Sequence, residues 1–343
     1  IIWTNMVMPT EIFYAADLIP INMELVAGWL SSLHLSRNKI QKCESVNFSA
    51  SLCSYHKATL GLLEDGGLPP PKRIAVSSHI CDGGPGVAKY FSRRYNADSY
   101  ILDIPFQYHA VNLQYLAEQY QTLIGWLERS TGRPFQMERL QKALELSNQA
   151  RDYWIKAFEL RKGRELFPGH LSLRNMFGAT FLFGSELGVE VARVFYEQLQ
   201  RMSREPEKSG DTVKKRLLWI HFAPLHDNGL MHYLENDLNC CIVMDITGHI
   251  HWPEYSQDQP FQSLARRNLS HFYLGEPDQR KALYQNIAAE YCIDGIVHFM
   301  HNGCRAIQGA SWQVRALAEE LQIPYLELSG DCIDPMGFSH GQA

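Results

Sequence analysis

Residues 73–86 read RIAVSSHICDGGPG, a stretch in which a predicted strand leads directly into a predicted helix. Its first six residues include apolar and β-branched side chains, which predicts a strand over 73–78. Cys81 and three glycines follow, and then a pattern that predicts a helix over 86–95. The glycines could present backbone N–H groups to a phosphate, whereas Cys81 could hold a metal beyond the strand. The rest of the chain must discriminate between these two chemistries.

The same alternation of strands and helices recurs in both halves of the chain. Strands are predicted over residues 18–24, 73–78, 99–104, 216–222, 240–246, 293–300 and 322–328. Helices are predicted over residues 9–16, 53–64, 86–95, 279–291 and 307–321, and the pattern between 110 and 209 is helical throughout. Alternating strands and helices are typical of βαβ units, so we predict an α/β protein with parallel sheets.

A chain of 343 residues is too long for one ordinary core and favours two domains. We expect two parallel-sheet domains of Rossmann or flavodoxin type, 1–110 and 210–343, joined by a helical segment over 111–209. The polar stretch 203–215 is predicted to be a linker. Parallel sheets bind ligands beyond the carboxyl ends of their strands, so a site is expected in the cleft between the domains.

Composition and charge exclude several functions. The formal net charge of −5 argues against a nucleic-acid-binding surface as the main function. No apolar run reaches the length that a membrane-spanning helix needs, so no membrane partner is expected. The eight cysteines are scattered and include no CxxC pair, which favours reduced thiols in the cytoplasm, some of them metal ligands.

Three cysteines stand where ligands are expected. Cys81 and Cys304 each lie a few residues beyond a predicted strand and beside glycine, one in each domain. Cys53 lies at the predicted start of a helix, where the helix dipole favours a thiolate. Three thiolates that meet across a cleft form a partial iron–sulfur ligand set with one iron site open.

The alternative for any single cysteine is burial as a small apolar side chain. We assign Cys240, Cys241 and Cys292 to packing, because the first two lie inside a predicted strand and the third opens one. Cys43 is given no role. The histidines beside the proposed ligands are candidates for hydrogen bonds around a metal site or for local backbone contacts: His56, His79, His298 and His301.

Six segments resemble one family in combination and in order. They are MPTEIFYAADLIPINM at 8–23, SLCSYHKATLG at 51–61, HICDG at 79–83, NCCIVMDITG at 239–248, HNGCRAIQG at 301–309 and IPYLELSGDCIDPMGFSHGQ at 323–342. Together they resemble the 2-hydroxyacyl-CoA dehydratase family, which includes the benzoyl-CoA reductase subunits and the double-cubane cluster proteins. The resemblance extends over nearly the whole chain.

The resemblance implies one 4Fe–4S cluster per chain, held by Cys53, Cys81 and Cys304 in the cleft between two α/β domains. Double-cubane relatives carry further cysteines between the first two ligand positions, and this chain has none between 54 and 80. The resemblance also implies a low-potential electron from an ATP-hydrolysing iron–sulfur activator protein. That electron converts an acyl-CoA thioester to a ketyl radical, which expels a leaving group or leads to reduction of an aromatic ring.

The resemblance further implies a homologous second subunit, identical or different, and an oxygen-sensitive enzyme of anaerobic metabolism. We therefore expect a subunit of a radical acyl-CoA dehydratase or aromatic acyl-CoA reductase. The alternative is a non-catalytic electron-relay or scaffold subunit with the same cluster, and a weaker one is a zinc- or ligand-binding protein without redox chemistry. A proton-transfer residue near Cys53 would discriminate between a catalytic subunit and an electron-relay subunit. The residue at that place is Lys57, which leaves the choice open.

Overall fold

The computed structural model describes residues 1–162, 168–169, 171, 178–205 and 214–338. Its framework is a pair of four-stranded sheets in which all neighbouring strands are parallel. The first sheet contains β1 (Ile2–Thr4), β2 (Pro20–Asn22), β3 (Arg73–Ser77) and β4 (Asp98–Leu102). The second contains β5 (Lys215–Ile220), β6 (Cys240–Asp245), β7 (Gly295–His301) and β8 (Tyr325–Gly330). The predicted α/β class with two parallel sheets is confirmed.

Both sheets follow the same strand order. The order is β2-β1-β3-β4 in the first sheet and β6-β5-β7-β8 in the second. The register places Trp3 opposite Ile74 at the centre of the first sheet and Trp219 opposite Val297 at the centre of the second. In this flavodoxin-like order the sheet is extended in opposite directions from β1 and from β3. The same reversal of the strand order occurs between β5 and β7. Such switch points are where open parallel sheets form their ligand crevices.

Helices connect the strands and cover the sheets. They are α1 (Thr10–Ala15), α2 (Met23–Ser32), α3 (Ser36–Ser45), α4 (Ser54–Glu64), α5 (Gly83–Tyr95), α6 (Ala110–Thr131), α7 (Met137–Leu160), α8 (Glu186–Arg204), α9 (Pro260–Leu269), α10 (Pro277–Glu290), α11 (Arg305–Gln308) and α12 (Ser311–Leu321). Short helical turns lie at Leu230–His232, Tyr233–Asp237 and Pro335–Gly337. None of the helices in the described part of the chain is both long and apolar enough to cross a membrane.

The long helices pack against both sheets through large buried side chains. Trp154 of α7 lies with its ring centre 4.9 Å from that of Phe195 on α8, in a core shared with Leu218 of β5. Tyr120 of α6 belongs to a second core together with Ala75 of β3. Leu140 of α7 also belongs to this second core, so α7 contributes to the cores beside both sheets.

Several elements differ from the sequence prediction. The first sheet has an additional central strand, β1, and α2 and α3 fill a region for which no helix was predicted. Helix α5 begins at Gly83, three residues before the predicted start. Helix α8 continues to Arg204, and most of the predicted linker, residues 206–213, lies outside the described residues. The division into segments 1–110, 111–209 and 210–343 stays a prediction.

Candidate active site

One cavity lies where the carboxyl ends of the two sheets meet, with about 690 Å³ of free space when its opening to solvent is included. The segments that follow the four central strands contribute to its wall: Asn5, Met6 and Val7 after β1, Ile80, Cys81 and Asp82 after β3, His221 and Phe222 after β5, and Gly303, Cys304 and Arg305 after β7. Both topological switch points therefore open into the same space. This is the position at which the fold predicts a ligand.

The structure brings the three predicted ligand residues to this cavity. Cys53, Cys81 and Cys304 all line it. Cys53 is the N-cap residue of α4, Cys304 is the N-cap residue of α11, and Cys81 lies two residues before α5 begins. Each thiol therefore stands at a helix start, where free backbone N–H groups face a negative sulfur.

Burial dominates the acidity of these thiols. It raises the pKa of Cys53, Cys81 and Cys304 because it penalises the charged thiolate. Backbone N–H groups at the three helix starts act in the opposite direction and offset part of this rise in pKa. In the chain alone the thiols are therefore protonated at neutral pH, and a bound cation would supply the charge that thiolates need.

His301 contacts the sulfur of Cys53. The backbone N–H of Cys332 donates to His301 Nδ1 over 3.1 Å, and His301 Nε2 lies 3.3 Å from Cys53 Sγ. Burial lowers the pKa of His301, so the imidazole is neutral and carries a single N–H. Since Nδ1 accepts a hydrogen bond, that proton is on Nε2, and His301 donates to the sulfur.

His56 makes the matching contact with Cys81. Its Nε2 lies 3.3 Å from Cys81 Sγ, and its Nδ1 is buried without a hydrogen-bond partner among the described residues. Gly83 makes this contact possible, since a Cβ there would lie 2.8 Å from His56 Nε2 and 3.3 Å from Cys81 Sγ. The glycine beside Cys81 thus leaves room for the histidine.

Gly303, beside Cys304, likewise allows a close approach that a larger residue would hinder. Its φ of +82° is in the left-handed region, and a Cβ at this position would lie 3.3 Å from the Cα of Cys53. The glycine therefore lets the turn after β7 approach the start of α4. Gly83 thus allows a close contact within the first half of the chain, and Gly303 allows one between the two halves.

Replacing Gly83 with alanine is expected to destabilise the protein, because the added methyl group overlaps the buried ring of His56. The free energy of unfolding should fall by about 1–3 kcal/mol, the usual cost of overpacking. Gly86→Ala is the matched control, because it lies in the same helix and its Cβ would meet nothing within 4 Å. Urea unfolding of the metal-free chain measures both variants, and equal midpoints would contradict the contact.

Glu24 is a cavity residue that the sequence analysis missed. It lies in the first turn of α2, is only 6% exposed and lines the same cavity as the three cysteines. Its Oε2 is buried and has no hydrogen-bond partner among the described residues, while the backbone N–H of Met6 is a donor to the carboxyl group. Burial raises the pKa of Glu24. The side chain can therefore hold a proton at the cavity wall.

The sequence did contain a signal for the helix start at Glu24, although not for its place in the cavity. Asn22 accepts a hydrogen bond from the N–H of Leu25, and an N-cap Asn followed by Glu two residues later marks a helix start. The segment 18–24 was instead predicted to be a strand, and only Pro20–Asn22 forms one. Since strand and helix start lie within seven residues, the apolar pattern alone does not separate them.

Lys57 does not reach the cavity. Its Nζ donates to Glu44 Oε1 over 2.7 Å and to the carbonyl oxygen of Ala50 over 2.9 Å. These bonds tie α4 to the segment that precedes it. Lys57 therefore has a structural role. Among the described residues, Glu24 and not Lys57 lines the cavity.

His221 is a second wall residue that the sequence analysis missed. It follows β5 directly, and its Nδ1 is hydrogen-bonded to the hydroxyl of Tyr273, which also lines the cavity. Its ring stacks at 6.0 Å from that of His301. The contact with Tyr273 joins residues 52 positions apart, so no local sequence pattern indicates it.

The other candidates from the sequence have structural partners outside this wall. His79 Nδ1 bonds to the carbonyl oxygen of Ile104, and His298 Nδ1 bonds to the hydroxyl of Tyr325. Of the four flanking histidines, His56 and His301 therefore contact the proposed ligands, whereas His79 and His298 do not line the cavity.

The remaining cysteines fall into two groups. Cys43, Cys241 and Cys332 are buried, and Cys240 is half-buried in β6. The assignment of Cys292 to packing is wrong, because this residue is exposed and has a φ of +50° in the turn before β7. The left-handed backbone conformation of this turn directs the Cys292 side chain to solvent. The apolar residues that follow Cys292 along the chain gave no indication of this turn.

The ion pair at the cavity mouth joins the two halves of the chain. Arg305 Nη1 lies 2.9 Å from Asp82 Oδ2, and both side chains are largely exposed. An exposed pair of this kind contributes little to stability. Its charges remain accessible to a charged ligand at the mouth.

The donor set fits a cluster better than a single ion. Across the described residues, no three His, Cys, Asp or Glu side chains are grouped to hold one metal ion. Three thiols nevertheless surround a common cavity, and thiolate sulfur is the preferred ligand of iron–sulfur clusters. A cluster spans a larger volume than a single ion, so its anchors stand farther apart.

Comparison with known proteins identifies the family of this chain. The family model described as 2-hydroxyglutaryl-CoA dehydratase, D-component, matches residues 5–343. The (R)-2-hydroxyisocaproyl-CoA dehydratase alpha subunit of Clostridioides difficile is 21% identical over 358 aligned residues, covering 99% of this chain and 86% of that subunit. A benzoyl-CoA reductase subunit of Thauera aromatica is 23% identical over 339 residues, covering 89% and 77% of the two chains.

A third relative is the (R)-phenyllactyl-CoA dehydratase alpha subunit of Clostridium sporogenes, 20% identical over 359 residues, with 99% of this chain and 86% of that subunit covered. The family model covers nearly the whole chain, which confirms the resemblance inferred from the six segments. The predicted enzyme class, acyl-CoA dehydratase or reductase, agrees with the description of this family. The chain belongs to the 2-hydroxyglutaryl-CoA dehydratase D-component family.

Proposed function

We propose that this chain is the subunit of a 2-hydroxyacyl-CoA dehydratase or benzoyl-CoA reductase-like enzyme that holds one 4Fe–4S cluster through Cys53, Cys81 and Cys304. The observation that carries the proposal is the meeting of three thiols, from three separate helix starts, around one cavity. When bound, the cluster would supply one low-potential electron to the carbonyl of an acyl-CoA thioester.

The chain's own residues prepare the cavity for this chemistry. His301 and His56 stand at hydrogen-bond distance from two of the three ligand sulfurs, where an N–H group stabilises negative charge. Ile80 and Phe222 contribute apolar wall that keeps water from the reacting groups. Polar interactions beside such an apolar wall are stronger than in water.

Glu24 is the proposed proton-transfer residue. Its unpartnered oxygen is buried in a side chain that lines the cavity, and its raised pKa favours the protonated form. Dehydration of a 2-hydroxyacyl-CoA expels the hydroxyl group as water and removes one proton from the neighbouring carbon, and the electron is returned at the end. Glu24 can donate a proton to the departing hydroxyl or accept one from the carbon.

The presence of Glu24 favours a catalytic subunit over the electron-relay alternative. A relay needs ligands for the cluster but no proton-transfer group beside it. This cavity has a carboxyl group whose free oxygen has no structural partner among the described residues. The wall is therefore equipped for proton chemistry as well as for electron transfer.

The proposed partners follow from the relatives and from the sequence. Several relatives are named as alpha subunits, so this chain is expected to work with a homologous second subunit. The electron would come from an ATP-hydrolysing iron–sulfur activator protein, since the sequence itself contains no Walker motif. The compartment expected for such an oxygen-sensitive assembly is the cytoplasm.

The test is anaerobic turnover of the assembled enzyme. The chain is purified without oxygen with its partner subunit, and ATP, the activator and a 2-hydroxyacyl-CoA are added. We expect ATP-dependent formation of the 2-enoyl-CoA, with benzoyl-CoA as the parallel substrate for ring reduction. A chain whose cluster is reduced but which forms neither product would contradict the catalytic proposal and favour the relay.

A further inference from the structure

A second cavity adjoins the cavity that contains the cysteines, with about 740 Å³ of free space when its opening to solvent is included. The two cavities share Met6, Val7 and Phe222 as wall residues. The second cavity therefore lies directly beside the cavity that contains Cys53, Cys81 and Cys304. This position makes it a candidate space for the part of a ligand that extends away from the three cysteines.

The second cavity has mainly apolar walls. Besides the three shared residues, large apolar side chains line it: Met8, Phe181, Trp252 and Phe272. Each of these four is at least nine-tenths buried. Burying apolar ligand surface against such a wall contributes roughly 25 cal/mol for each Å² removed from water.

Arg267 is the permanently charged cation among the described residues of this wall, and its charge is already balanced. Its Nη1 lies 2.7 Å from Glu11 Oε1, and its guanidinium lies 5.0 Å above the rings of Phe183 and Trp252. Glu11 is fully buried. A second carboxylate at this place would leave one guanidinium to neutralise two buried negative charges, which is costly.

The two histidines of the wall add no positive charge. Burial lowers the pKa of His271 to about 3 and lowers that of His251 as well. His251 Nε2 donates to the carbonyl oxygen of Ser270 over 2.6 Å, which takes up the single N–H of a neutral imidazole. Both imidazoles are therefore neutral at pH 7, and with Arg267 paired to Glu11 the described residues of this wall carry no net charge.

We infer that the second cavity receives the acyl side chain of the CoA thioester, and that this side chain is apolar and uncharged, either aliphatic or aromatic. The inference rests on the proposed function. It distinguishes between the acyl groups that the relatives' names state. A 2-hydroxyglutaryl thioester carries a free carboxylate, whereas 2-hydroxyisocaproyl and phenyllactyl thioesters carry none.

The test compares the binding of two unreactive thioesters of similar size to the anaerobically purified wild-type enzyme. Calorimetry gives the affinities of 4-methylpentanoyl-CoA, glutaryl-CoA and free CoA. We expect 4-methylpentanoyl-CoA to bind at least tenfold more tightly than either of the others. Equal or tighter binding of glutaryl-CoA would overturn the inference and leave the proposed function intact. Failure of the proposed function would instead appear as a protein without a cluster.

A variant pair locates the acyl group in this cavity. Met8→Lys places an ammonium group in the apolar wall, so the preference should shift at least tenfold towards glutaryl-CoA. Met336→Lys is the control, because Met336 is 73% exposed and does not line the cavity. Circular dichroism confirms that each variant is folded. An unchanged preference in folded Met8→Lys would overturn the placement, and the wild-type comparison stands if that variant does not fold.

Discussion

Replacing Cys53, Cys81 or Cys304 with serine is expected to remove most of the iron from the anaerobically purified protein. Serine has nearly the same shape, but its hydroxyl is a harder ligand and a weaker acid than a thiol. With one of three anchors lost, the iron content should fall from about four per chain to less than one, since the cluster depends on cysteine ligation. Iron analysis and the broad visible absorbance of the cluster measure the loss.

The matched control for these variants is Cys292→Ser. Cys292 is exposed and lies outside the cavity wall, so the iron content should not change. Far-ultraviolet circular dichroism shows whether each variant keeps its helices. Full iron content in all three cavity variants would contradict the proposed ligand set. Equal iron loss in the control and in the cavity variants would do the same.

Replacing Glu24 with glutamine is expected to lower the turnover rate of the assembled enzyme by roughly 10²–10⁴-fold, the usual contribution of general acid–base catalysis. The amide keeps the shape of the side chain and still accepts a hydrogen bond from the N–H of Met6. It cannot hold a transferable proton. Iron content and the affinity for the acyl-CoA should therefore stay unchanged, and stopped-flow or discontinuous assays measure the rate.

Glu64→Gln is the control for this prediction. Glu64 accepts hydrogen bonds from the hydroxyls of Tyr90 and Tyr95, away from the cavity, and an amide oxygen can replace its carboxylate there. Its turnover rate should match that of the wild type. A Glu24→Gln enzyme with full activity would remove the proton-transfer role and make the electron-relay alternative the better account of this chain.

The fold was largely predictable because most of its strands are apolar runs followed by helical patterns. Arg73–Ser77 is an example, since all but its first residue are buried between covering helices. Ile2–Thr4 was missed because a three-residue strand leaves no period to detect, although it lies at the centre of its sheet. Its existence depends on pairing with Pro20–Asn22 and Arg73–Ser77, which is information from distant parts of the chain.

The site was predictable where its chemistry is carried by residue type and by position after a strand. Cys81 and Cys304 met both conditions, and Cys53 followed from the helix start and the resemblance. Glu24 and His221 were missed because only tertiary structure brings them to the cavity. A carboxyl group in the first turn of a helix is usually a solvated helix-dipole residue, and burial at a cavity gives this one its different role.

The metal content of the wild-type protein decides whether the three thiols hold a cluster at all. The protein is purified without oxygen, iron and acid-labile sulfide are measured, and a low-temperature EPR spectrum is recorded after reduction. We expect about four irons and four sulfides per chain with the signal of a reduced cubane cluster. An iron-free protein without that signal would contradict the proposed cluster.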